Sequence, residues 1–410
     1  MERARHRWLR LAALALLLQA AFAAEIDPYH LHRVGGTTNL PPHETIVAVA
    51  WAGVGLALLA LLLPRPWSAS LALVAGAATL LVSTPSNAAR FHLFQVLCLA
   101  LATSAVVAAC ARGPRMIARL GLVALVLLAV EGVFSMVERS HAVGYTLAAR
   151  LWFARHWSTP NNSLGYRDVE HPDDGRKKLF VLGDSFVAGV GIADASERFS
   201  DRLQALLGER YQVHNIGYNG SDTRYELELL EAYPARPDVL VLSYYINDIT
   251  GAAAAFGHRP PPYRPYGNLR RPFAWFVSRS YLLDFAYWLL PQPDLAGESR
   301  FLAQCFTWPE VVAEHEKDLQ RVVDWTRAHD CALIAVVFPA LTELEASSAW
   351  VAPALEVFAA NGIPVIDVRA LVNGMDADER VVNANDSHPS VRVHAAVAEA
   401  LRARVEGLSR

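Results

Sequence analysis

Apolar positions along this chain follow two different rhythms. From Leu11 to about Met136 they run in long blocks broken by short polar or arginine-bearing joints, and no lysine occurs before Lys177. Beyond Lys177, short runs rich in Val and Ile alternate with longer stretches whose apolar residues recur at helical spacing. The runs Leu179 to Leu182, Tyr211 to Ile216, Val239 to Tyr244, Ala332 to Phe338 and Pro364 to Val368 predict strands. Glu197 to Leu207, Asp222 to Tyr233, Pro309 to Arg327, Leu344 to Ala360 and Pro389 to about Val405 predict helices between and after them. Such alternation predicts an α/β domain with a parallel sheet and helices on both faces, whose active site lies at the carboxyl ends of the strands.

Four of the front blocks, Thr45 to Leu63, Pro66 to Ala89, Phe91 to Ala111 and Leu120 to Val137, are long enough to span bilayer hydrocarbon at about 1.5 Å per residue. They predict an all-α transmembrane region. The first apolar block, Leu11 to Ala24, is shorter, follows Arg3, Arg5, Arg7 and Arg10, and ends at Ala21-Phe22-Ala23. It is either a cleaved signal peptide or a first span. Five spans starting inside, or four starting outside after cleavage, both leave the C-terminal domain outside the cytoplasm. The clustered Arg112, Arg115 and Arg119 agree with that orientation, because arginine-rich joints stay in the cytoplasm. Glu131 is either a functional intramembrane carboxylate or, being near the exit end of the last block, an interfacial residue.

The 410 residues are 53 % hydrophobic, and the excess sits in these front blocks. A formal net charge of -3 leaves no electrostatic footprint for nucleic acid, and no basic helix or aromatic RNA-binding motif is present. Four cysteines do not make a disulfide scaffold: Cys98 and Cys110 lie within one apolar block, and a helix between Cys305 and Cys331 would hold those thiols at opposite ends.

Candidate chemistry begins where the first predicted strand ends, at Gly183-Asp184-Ser185. A serine in a tight turn between a strand and a helix is placed as a nucleophile, although a serine there also serves as a helix cap. Serine needs a base, a group that orients the base, and donors for the developing oxyanion. His388 is the candidate base and Asp386 the candidate orienting carboxylate, with an Asx-turn or cap as the latter's other role. Oxyanion donors are expected from the backbone of Ser185, from the backbone of Gly220 and from the side-chain amide of Asn247. The loop after the second strand must approach the serine, so a residue without Cβ is expected at Gly220, while Gly217 is equally suited to be the turn residue. His394, inside the last helix, is expected to be structural.

Gly183-Asp184-Ser185, Gly220, Asn247-Asp248 and His388-Pro389, in that order, resemble the four blocks of the SGNH (GDSL-type) hydrolase superfamily. Asn162-Ser163-Leu164-Gly165-Tyr166-Arg167 resembles the lead-in of many members. The resemblance covers more than half the chain, from about Lys177 to the end. It implies a flavodoxin-like three-layer fold and Ser-His-Asp esterase, lipase or acyltransferase chemistry without cofactor or metal. Two positions depart from the pattern. Tyr245 replaces the glycine of Gly-x-Asn-Asp, and Asn385 stands three residues before His388 where the family has its carboxylate. Either Asp386 orients His388, or the pair Ser185 and His388 works with support from Asn385 or a backbone carbonyl.

The expected organisation is a signal peptide or first span over residues 1–24, a membrane region over 25–137, a tether over 138–176 and a hydrolase-like domain over 177–410. Residues 249–306 form an insertion rich in Pro and aromatics, including Tyr266, Phe273, Trp275 and Trp288. It acts either as a lid resting on the membrane surface or as a subdomain packed on the sheet. The function expected is a membrane-tethered, extracytoplasmic (periplasmic) serine esterase or O-acyltransferase. Its expected substrate is an ester, O-acetyl first, of envelope glycan or lipid. The alternative is a catalytically silent module that binds envelope polymer.

Overall fold

Successive residues of the strand Lys177–Gly183 (β1) point to opposite faces of a sheet. Leu179 and Val181 enter one apolar cluster, Phe180 and Leu182 enter another, and all four are fully buried. A strand buried on both sides requires helices on both sides, and this requirement explains the architecture. The computed structural model describes residues 114–408 apart from 143, 158–159, 262–265, 267–268, 270 and 291–292. The chain divides into two units. Of the first, Pro114–Val130 and Arg271–Phe273 are described; the second comprises Glu131–Arg270 and Ala274–Arg410.

In the second unit, β1 is joined by Tyr211–Gly217 (β2), Val239–Tyr245 (β3), Ala332–Phe338 (β4) and Val365–Asp367 (β5). All pairings are parallel and the order is β2-β1-β3-β4-β5. This is the flavodoxin-like order, with its switch point beside β1. The helices Phe199–Leu207 and Val391–Leu408 cover one face, the latter through the stripe Val393, Val397, Leu401 and Val405. The other face is covered by Thr223–Ala232, Pro309–Ala328 and Ser348–Ala360. Pro309 opens its helix at a position where the missing N–H costs nothing.

Two of the elements that were not predicted bear on the site and the insertion. Val381–Asn383 (β6) and Asp386–Pro389 (β7) form a separate antiparallel hairpin just before the last helix. The insertion after β3, for which no element was predicted, carries the helices Thr250–Ala255, Arg271–Val277, Tyr281–Trp288 and Pro293–Cys305. Within it Asp284 is buried and accepts hydrogen bonds from Tyr266 Oη (2.7 Å), Trp288 Nε1 (3.1 Å) and the backbone N–H of Leu147 (2.8 Å). Cys305 and Cys331 are both buried free thiols.

The stretch before β1 is part of the same unit as the sheet. Arg167, from the lead-in motif, is buried and donates to the carbonyls of Gly189 (2.7 Å) and Ile192 (2.8 Å). It thereby pins the loop that follows Ser185. Among the described residues no helix is long and apolar enough to cross a membrane. The blocks at 45–63, 66–89 and 91–111 lie outside the described residues, as do the first 24. The block from Leu120 to Val137 falls on the helix Pro114–Phe134, which ends three residues short of Val137. Glu131 on its last turn accepts from Ser280 Oγ and from the backbone N–H of Tyr281 (2.8 Å), which gives that carboxylate a place in the second unit.

Candidate active site

The candidate residues sit where strands end. β1 stops at Gly183; Asp184 caps the short helix Ser185–Ala188 by accepting from the Phe186 N–H at 2.9 Å. Ser185 is thus the first helical residue after the sheet, and it is 6 % exposed. β2 ends at Gly217, and a loop leads to Asp222, which caps the Thr223–Ala232 helix through bonds from the Arg224 and Tyr225 N–H groups. β3 runs into the 3-10 turn Ile246–Ile249, which carries Asn247. The fourth contribution comes from the β6-β7 hairpin.

Ser185 and His388 meet across 203 residues of sequence: His388 Nε2 lies 2.9 Å from Ser185 Oγ. The other ring nitrogen, Nδ1, lies 2.5 Å from Asp386 Oδ1, and the same oxygen accepts the His388 backbone N–H at 3.2 Å. Asp386 reaches the ring because both residues belong to β7. On a strand, side chains two apart share a face, so a carboxylate two residues before the histidine is correctly aimed. Asn385 takes no part in orienting the ring: its N–H goes to Asn383 Oδ1 (2.9 Å) and its carbonyl accepts from Ala142 (3.0 Å).

The two glycines of the second loop divide the work differently from the expectation. A Cβ on Gly217 would lie 2.2 Å from the backbone nitrogen of Ala188, so this is the position where the strand end must press against the Ser185 helix. Gly220 has open space around it but a φ of 80°, a left-handed conformation that side chains disfavour. The Tyr218 N–H donates to the Gly183 carbonyl (3.0 Å) and ties this loop to the serine turn.

Asn247 Nδ2 donates to Asp184 Oδ2 at 2.9 Å, which fixes the amide beside the serine turn and leaves its second hydrogen for another acceptor. Tyr245 stands where the related pattern has glycine. Its backbone is extended, with φ -127° and ψ 159°, so no glycine is needed, and its ring stacks on Phe186 at 4.2 Å. His394 accepts the Phe199 N–H at 3.1 Å, and burial pushes its imidazole down to about 3, so it is a neutral structural group.

Charge is unevenly distributed here. Burial pushes the His388 imidazole down, but the Asp386 carboxylate outweighs it and holds the ring above its ordinary value of 6.5. For Asp386, burial pushes upward and the His388 ring and its donors pull further down, below the ordinary carboxylate value. Burial raises Asp184 despite its donors. Glu226 and Asp248, both fully buried, are raised well above the ordinary carboxylate range, first by burial and then by neighbouring carboxylates. Among the described residues no three histidine, cysteine or carboxylate side chains converge as metal ligands.

Ser140, Arg167 and Gly217 belong to this neighbourhood without having been singled out as site residues. Arg167 and Gly217 were visible within motifs. Ser140 had no signal, because its contact with Asp386 spans 246 residues.

Among solved structures, the chain resembles TesA with 17 % identity and a TM-score of 0.37, covering 57 % of this chain and 99 % of that one. The acetyl xylan esterase AlAXEase follows with 16 %, 0.36, 56 % and 99 %. A carbohydrate acetylesterase family member from Sinorhizobium meliloti gives 15 %, 0.33, 56 % and 97 %. No curated protein matches the sequence. The model of the GDSL-like Lipase/Acylhydrolase family matches residues 181–396, a segment that runs from β1 into the last helix and contains Ser185, Gly220, Asn247, Asp386 and His388. That match takes in more than half of the chain, which therefore belongs to the GDSL-like Lipase/Acylhydrolase family and is an ester-hydrolysing enzyme of SGNH type.

Proposed function

We propose that this enzyme is a serine esterase that removes short acyl groups, above all O-acetyl, from glycan or lipid of the cell envelope. It would work tethered to the membrane with its hydrolase unit outside the cytoplasm. The observation that carries the catalytic part is the bonded series from Ser185 Oγ through His388 to Asp386. In this scheme Ser185 Oγ attacks the ester carbonyl carbon while His388 Nε2 takes its proton. The negative charge on the carbonyl oxygen is met by the backbone N–H groups of Ser185 and Gly220 and by the free amide hydrogen of Asn247. Collapse of the intermediate breaks the bond to the alcohol, which leaves with the proton from His388. Water then repeats the cycle on the acyl-serine and releases the carboxylic acid; an acceptor hydroxyl in place of water makes the same step an acyl transfer.

A short acyl group is favoured because Ser185 is nearly buried, with the rings of Phe186 and Tyr245 stacked beside it. The membrane part rests on the lengths of the apolar blocks in the first 137 residues and on the Arg112, Arg115 and Arg119 joint. The exposed apolar side chains at Leu122, Val123 and Leu125 to Leu128 add to it, since such a run suits an apolar surrounding. The envelope substrate follows from that location.

Five outcomes are expected of the full chain. With p-nitrophenyl acetate, Ser185→Ala abolishes turnover and labelling by a fluorophosphonate; a labelled or active Ser185→Ala protein overturns the assignment of the nucleophile. Asn247→Ala lowers kcat by about 10²–10³-fold, the usual effect of losing one oxyanion donor. An unchanged kcat removes Asn247 from the scheme. His388 must be neutral to accept a proton and its raised value moves the acid limb upward, so kcat/KM falls as pH drops through a value above 6.5. Asp386→Asn shifts that limb to lower pH and cuts kcat on the order of 10⁴-fold; an unmoved limb counts against Asp386. Finally, the chain stays in the membrane pellet after carbonate washing, and added protease digests the C-terminal unit from outside intact spheroplasts. Protection of that unit until lysis overturns the orientation.

A further inference from the structure

The carboxylate of Asp386 has two oxygens, and His388 occupies only one of them. The other, Oδ2, accepts a hydrogen bond from Ser140 Oγ, a residue that lies before the sheet begins and outside the matched family segment. Both groups are buried, Ser140 at 3 % and Asp386 at 1 % exposure. The contact is built into its surroundings by three further bonds. The Ala142 N–H donates to the Asn385 carbonyl (3.0 Å), Arg139 Nε to Asn383 Oδ1 (3.2 Å), and Asn383 Nδ2 to the Ser140 carbonyl (2.9 Å). Residues 139–142 therefore lie along the turn of the β6-β7 hairpin with backbone and side chains both engaged.

We infer that Ser140 is a positioning residue for ester hydrolysis, its hydroxyl fixing the Asp386 carboxylate so that the segment from Arg139 to Ala142 is a working part of the active site. The inference rests on the proposed Ser185, His388 and Asp386 mechanism. A carboxylate bonded at one oxygen alone retains freedom to rotate about its last torsion, and the imidazole it holds shares that freedom. With Ser140 in place, both oxygens are engaged and the plane of the carboxylate is set. The hydroxyl proton also takes up part of the carboxylate's negative charge, so less of that charge acts on the imidazolium. Three further titratable groups face this pair, the first being His394 of the last helix, which burial keeps neutral. His141, on the same segment, is held neutral because burial and then Arg139 push it down to about 4. Asp184, from the serine turn, acts on the His388 ring from the other side.

The test compares Ser140→Ala and Ser140→Thr with wild type in the full chain. Loss of a hydrogen bond to a charged group supports an effect of about tenfold. Ser140→Ala therefore lowers kcat for p-nitrophenyl acetate by about that factor with KM little changed, and moves the acid limb of kcat/KM to higher pH, as the undivided carboxylate charge then acts on the ring. Ser140→Thr, which keeps the hydroxyl, restores both. An Ala variant with wild-type kcat and limb overturns the inference, and so does a fall in kcat that Thr does not rescue or that leaves the limb in place. Titration of the His388 imidazole by nitrogen NMR in the same proteins reads the ring without turnover. An inactive wild type with an Ala-dependent titration shift would count against the mechanism while supporting the Ser140 contact, whereas an unshifted titration overturns the contact itself.

Discussion

A buried imidazole resists protonation, yet a serine can be activated only by a base that does become protonated. In the proposed mechanism, the resolution of that conflict at His388 is the constraint on which the rest of the domain depends. Burial of the ring lowers its affinity for a proton, and the Asp386 carboxylate at 2.5 Å raises it again by more. This works only if the carboxylate itself stays ionised in a buried place, which its own donors secure. Everything that carries these groups then has to be rigid. The parallel sheet, buried on both faces, holds the ends of β1, β2 and β3 together, and the last helix packs the hairpin against the same rim.

Much of this was legible in the chain because buried parallel strands are short uninterrupted apolar runs. Val239 to Tyr244 and Ala332 to Phe338 could hardly be read otherwise, and both appear as strands within one residue of the expected bounds. The β6-β7 hairpin was not legible, since Asp386-Ser387-His388-Pro389 is polar and its period of two carries no hydrophobic signal. That single missed element is why Asp386 and Asn385 could not be separated from sequence: the choice depends on whether the segment is extended. The helices of the insertion were hidden for a different reason. Aromatic residues spread around them obscure the 3.6-residue period, and prolines between them suggest irregular chain.

The segment ahead of the sheet had been expected to act as a tether, and its polar composition gave no cause to think otherwise. In the folded chain several of its described residues bond to the second unit. Glu131 bonds to the start of the Tyr281–Trp288 helix, Leu147 to Asp284 in that helix, and Arg167 to the loop after Ser185. Contacts of this kind are invisible to local patterning because each joins residues more than twenty positions apart. The second unit accordingly begins well before β1, at Glu131.

Asp248 lies in the turn that carries Asn247 and Glu226 in the Thr223–Ala232 helix, and neither faces water. Each has one oxygen engaged, Glu226 by Ser221 Oγ and Asp248 by the Tyr245 N–H, and one without a partner. Burial makes both reluctant to ionise, so neither readily carries a negative charge. In the proposed mechanism, an anion forming beside Asn247 would then have two reluctant acids, rather than two fixed negative charges, in its neighbourhood.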